Sequence, residues 1–116
     1  MKKSLLIVVA LLSGCSLWMA NYDTNEYALV NKVRTIASTG DCSKREELYL
    51  TTLELKNFSQ YIPRNQASIG LNDNLFTMVD DLHKKENPSA VFCKLKLENI
   101  TKTAETIQQV TGSKPR

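Results

Sequence analysis

The stretch "NPSAVFCKLKLENITKTAETIQQVTG", residues 87–112, decides how this chain folds. Cys93, Leu97, Ile100, Ala104, Ile107 and Val110 recur at spacings of four, three, four, three and three. That is the period of one helical face, not the every-second-residue alternation of a strand. Asn87 stands where a helix is capped. Pro88 follows at the first helical position, where a missing amide costs nothing. The helix is expected to run to about Thr111, with Gly112 ending it. A seam this long needs other helices to cover it.

The chain upstream supplies them. Leu75, Phe76, Val79 and Leu82 make the stripe of a short helix from about Asp73 to Lys85, with Lys84 and Lys85 placed favourably against its dipole. The stretch before it, "PRNQASIGLN" at 63–72, contains Pro63 and Gly70 and reads as the longest loop. An earlier helix starts with a capping box, Ser43 and Glu46. It carries Leu48, Leu50, Leu53, Leu55, Phe58 and Tyr61 over a wide face before Pro63 stops it. That surplus either lines a groove or marks a central helix surrounded by its neighbours; the second is the plainer expectation. The first helix runs from about Asn25 to Ser38, with Leu29, Val30, Val33, Ile36 and Ala37 on one face and Gly40 just past its end. No strand pattern lasts more than a few residues, and no internal repeat of 20 to 50 residues is visible. The expected fold is all-α, a small bundle of about four helices.

Short connections make successive helices antiparallel. The second and fourth then begin at the same end. Cys42 precedes the second and Cys93 lies near the start of the fourth, so a bond between them is geometrically possible.

The amino terminus fixes where such a bond forms. Lys2 and Lys3 precede an apolar run of eight residues, Leu5 to Leu12. A spanning helix needs about 20. The layout is that of a signal peptide. Leu12-Ser13-Gly14-Cys15 resembles the bacterial lipobox. The resemblance implies that Cys15 is modified with diacylglycerol, that the leader is cut before it, and that the new amino group is acylated. Ser16, rather than Asp, resembles the residue of lipoproteins sorted to the outer membrane. Two or three acyl chains make attachment effectively permanent. Trp18 is expected either at the lipid surface or tucked onto the domain. Cleavage removes 14 of 116 residues and leaves 102, enough for one core. Basic residues fall to 13 against 12 acidic, a net charge near +1 for the whole domain that leaves no strong field to pull in nucleic acid or anionic lipid. In an oxidising periplasm the two remaining thiols read as one disulfide, Cys42–Cys93. The expected organisation is a signal peptide over 1–14, a lipidated tether over 15–24, the bundle over 25–112 and a flexible tail over 113–116.

Catalytic and metal chemistry find little to build on. His83 is the one histidine and has no recognisable motif partner from which to build a Ser-His-acid or Cys-His set, and no zinc spacing is present. Asp80 and Asp81 are adjacent on a helix and do not face each other; they read as a solvated face. The four glycines are isolated, so no phosphate loop exists. No catalytic residue, cofactor or metal is expected, and the chain does not read as an enzyme.

Two segments carry a further resemblance: "GDC" at 40–42 after an apolar helix, and "DLHKKENPSAVFCKLKL" at 81–97, with a proline shortly before its cysteine. The arrangement resembles the α-helical pilotins of type II secretion systems, small outer-membrane lipoproteins that carry secretin subunits. In that class a disulfide ties the region after the first helix to the last. This chain lacks the class's usual segment after the first cysteine, so the resemblance carries over to Cys42 and Cys93 and to no groove residues. It implies capture of an amphipathic secretin tail in an apolar channel. The alternative is a phage- or plasmid-encoded exclusion or inhibitor lipoprotein that blocks an envelope receptor or a wall-degrading enzyme.

Overall fold

The computed structural model describes residues 20–116. The expected leader, the expected lipidation site Cys15 and Trp18 lie outside the described residues. Four α-helices follow: α1 Thr24–Ser38, α2 Arg45–Gln60, α3 Gln66–Lys84 and α4 Ala90–Gly112, with a 3-10 turn over Cys42–Lys44. No strand occurs among the described residues. Each helix packs on the next, and the ring closes between α4 and α1. The all-α bundle with one disulfide is thus the observed fold.

Val30 and Val33 of α1, Leu48 and Leu55 of α2, Leu75, Val79 and Leu82 of α3, and Leu97, Ile100, Ala104 and Ile107 of α4 form one continuous core. The face predicted for α4 is the face it buries, with Val110 half-buried at its end.

The helix ends differ in detail from expectation. The Asp23 carboxylate accepts from the amides of Asn25 and Glu26, at 2.9 and 3.0 Å, and so starts α1. Gly40 takes φ +68° just past α1, as its position predicted. Ser43 does not form a capping box. Asp41 accepts from both the amide and the hydroxyl of Ser43, which holds its carboxyl below the usual range. Glu46 turns away to pair with His83 on α3. Asn87 is not the cap of α4 either; Ser89 is, accepting from Phe92 N at 3.1 Å. Asn87 instead adopts φ +48° in the preceding turn, a conformation its short polar side chain tolerates.

Two larger differences matter more. α3 begins at Gln66, seven residues before the expected Asp73, and absorbs most of the predicted loop. Its buried positions are Ser68, Asn72, Leu75, Val79 and Leu82. The helical period is intact, but its first two members are polar. And α2 is not central: it packs on α1 and α3, and its buried residues are Leu48, Thr51, Thr52, Leu55 and Ser59. The Thr52 hydroxyl donates to the Leu48 carbonyl at 2.6 Å, so its burial leaves no polar group unmet. Leu50 and Tyr61 face outward.

The antiparallel order creates two poles. At one, Cys42 and Cys93 are bonded, with Cα atoms 5.8 Å apart. Arg45 there donates to the carbonyl of Lys85 at 2.8 Å, satisfying the C-terminus of α3. At the other pole, Glu26 of α1, Asn65 before α3 and Lys114 after α4 converge in the interior. Lys114 pairs with Glu26 and donates to Asn65 Oδ1 at 2.6 Å. Asn65 Nδ2 donates to Glu26 Oε2 at 2.7 Å and to the Ser59 carbonyl at 2.9 Å. Residues 113–116, expected as a flexible tail, are tied in by this network and by the Tyr22 amide donating to the Pro115 carbonyl at 2.8 Å.

Candidate functional site

A groove of about 380 Å³ runs between α1 and α2. The helical period puts Asn25, Ala28, Leu29 and Lys32 on one side of α1, three, four and seven residues apart. Glu54 and Phe58, one turn apart on α2, form the opposite wall. Leu29 and Phe58 are half-buried, so their apolar surface is available along the floor. Lys32 and Glu54 place opposite charges on opposite walls. Leu50, four residues before Glu54 and 55% exposed, extends the apolar face of α2 beyond the groove. The groove is possible because α2 spends Thr51, Thr52 and Ser59 on the core, leaving bulkier side chains outside.

A second groove of about 430 Å³ lies between the end of α1 and the middle of α4. Its walls carry Lys94, Glu98, Lys102 and Glu105 around Leu97. An apolar helix seated there would strip water from four charged groups, which is unfavourable without paired partners. The α1–α2 groove presents two.

The residues singled out for chemistry are scattered. His83 meets Glu46, and its ring stacks on Tyr49 with centroids 4.0 Å apart. Tyr49 in turn packs on Phe76 at 5.7 Å, and Lys56 lies 4.5 Å over that ring. These contacts fasten α2 to α3. Asp80 pairs with Lys84 at 2.7 Å, which raises the Lys84 pKa. Asp81 is exposed. Among the described residues, no cluster of three or more His, Cys, Asp or Glu is placed to hold a metal ion. Nor is any described helix long and apolar enough to cross a membrane.

Sequence reasoning missed the Glu26–Asn65–Lys114 network. Each member looks like an ordinary surface residue in its own segment. It also left undecided which face of α2 is open. No protein-family model matches the chain, and no curated protein or solved structure matches it.

Proposed function

We propose that this chain is an outer-membrane-anchored lipoprotein, facing the periplasm, that acts as a pilotin-like protein-binding module. The observation that carries the binding reading is the α1–α2 groove, with Ala28, Leu29 and Phe58 along it and Lys32 and Glu54 across from each other. An amphipathic helical tail of an envelope protein, such as a secretin subunit, would lay apolar side chains spaced three or four residues apart along that floor. Lys32 and Glu54 would set its orientation through charge. The lipid on Cys15 would then carry the captured partner to the membrane. The Cys42–Cys93 bond fits an oxidising compartment.

The test is genetic and biochemical. In a strain deleted for this chain, secretin should accumulate away from the outer membrane, and a Leu29→Asp variant should fail to restore it. The wild-type chain should co-purify with the secretin tail, and the variant should not. Normal secretin localisation in the deletion strain overturns the reading.

A second reading draws on Val91 and Leu95, one turn apart on α4 and 69% and 57% exposed. They form an apolar patch at the disulfide pole, the kind of protruding surface with which an exclusion or inhibitor lipoprotein would block an envelope receptor or a wall-degrading enzyme. Loss of such blocking in Val91→Asp, with secretin localisation unchanged in the deletion strain, would favour it.

A further inference from the structure

We infer that the pole formed by Tyr22, Tyr61, Arg64 and Arg116 rests on an anionic phospholipid surface, so that the Cys42–Cys93 pole points away from the membrane. The inference builds on the proposed acylation of Cys15 and names the face that meets the lipid. Ala20, where the described chain begins, lines a small cleft with Arg64, Ala67 and Val110. Five Cα-to-Cα steps lead from Cys15 to Ala20. Fully extended at about 3.5 Å each, they reach roughly 17 Å. An acylated Cys15 therefore holds this pole within reach of the headgroups.

The chemistry of the pole suits them. Tyr61 is 85% exposed at the end of α2, an aromatic ring left in water by the bundle. Arg116 lies 4.4 Å over the ring of Tyr22, and both sit beside the chain entry. Tyrosine rings and arginines are the side chains that settle at the boundary between headgroups and hydrocarbon. Across residues 20–27, 57–67 and 108–116 the acidic side chains are Asp23 and Glu26. The first caps α1, and the second is buried against Lys114. The opposite pole exposes Asp41, Glu46, Glu47, Asp81 and Glu86, interleaved with lysines and arginines. An anionic surface meets fewer carboxylates at the tether pole, and basic groups near a negative leaflet are attracted to it.

Hydrogen exchange tests this on the full processed chain in nanodiscs containing phosphatidylglycerol, after mass spectrometry of Cys15. Amides of residues 61–67 and 113–116 should exchange severalfold more slowly than in the same chain made unacylated by Cys15→Ser. A Tyr61→Ser, Arg116→Glu double variant should lose that protection while its circular dichroism stays helical. Protection confined to residues 41–47 and 85–90, or none at either pole on an acylated chain, overturns the seating and leaves the anchor reading intact. An unmodified Cys15 overturns the anchor and the seating together.

Discussion

The two poles of the bundle solve one problem by different means. Helix ends separated by many residues must be held together where the core thins out. At the disulfide pole a covalent bond does this, joining residues 51 positions apart in sequence. At the opposite pole Glu26, Asn65 and Lys114 do it with charges and hydrogen bonds, all three buried. A disulfide acts chiefly by restricting the unfolded chain, at about 4 kcal/mol for a loop of this size. A buried ion pair acts only in the folded state, and its attraction largely offsets the desolvation of its own charges. The first contributes net stability; the second makes a docked tail depend on its partners being present.

Breaking the bond gives the largest expected effect. Cys93→Ser, or reduction of the native chain, should lower unfolding free energy by about 4 kcal/mol in urea titrations. A loss below about 1 kcal/mol would mean that the unfolded chain is already constrained there. Lys114→Ala leaves the Glu26 carboxylate buried and uncompensated, and should destabilise by about 3 kcal/mol. The double variant Glu26→Leu, Lys114→Met should recover most of that loss in the same titration. If it does not, the network is worth more than its desolvation, and the contrast between the poles narrows.

Two glycines sharpen the comparison on a smaller scale. An added methyl at Gly70 meets nothing within 4 Å, so Gly70→Ala should raise stability by about 1 kcal/mol through helix propensity. The same change at Gly112, near the Glu26–Asn65–Lys114 pole, places a methyl 3.2 Å from Cε2 of Tyr27. It should gain less than Gly70→Ala or lose stability, read as the difference in thermal midpoint.

The smallest effect is electrostatic and belongs to the disulfide pole. The Ser43 hydroxyl and amide hold Asp41 below the usual carboxylate range. A carboxyl lowered on folding stabilises the fold above its unfolded value, and the contribution disappears as pH falls through the folded value. Asp41→Asn should therefore reduce stability at neutral pH and converge with wild type well below about pH 4. Equal offsets at both pH values would show that the cap works through packing instead.

What could be read from the sequence follows the same division. Cysteines announce themselves, and the apolar seam of α4 predicts both a helix and the face it buries. Leu75, Val79 and Leu82 likewise reveal the later part of α3. Its first part stayed hidden because Ser68 and Asn72 occupy buried positions of the same period, and neighbouring Gly70 suggests a loop. A count of apolar residues cannot see a polar seam. Which face of α2 opens onto the α1–α2 groove was hidden for the converse reason: Thr51, Thr52 and Ser59 face inward while Leu50 and Tyr61 face water. Lys114 had no signal at all, since its partners lie 49 and 88 residues away. Side chains whose burial depends on distant partners leave no periodic trace.

The most direct measurement is the intact mass, without reductant, of the protein isolated from its native membranes. The account predicts a chain that begins at a diacylglyceryl-modified, N-acylated Cys15 and lacks two hydrogens at Cys42 and Cys93. A chain that still begins at Met1, with three free thiols, would contradict it.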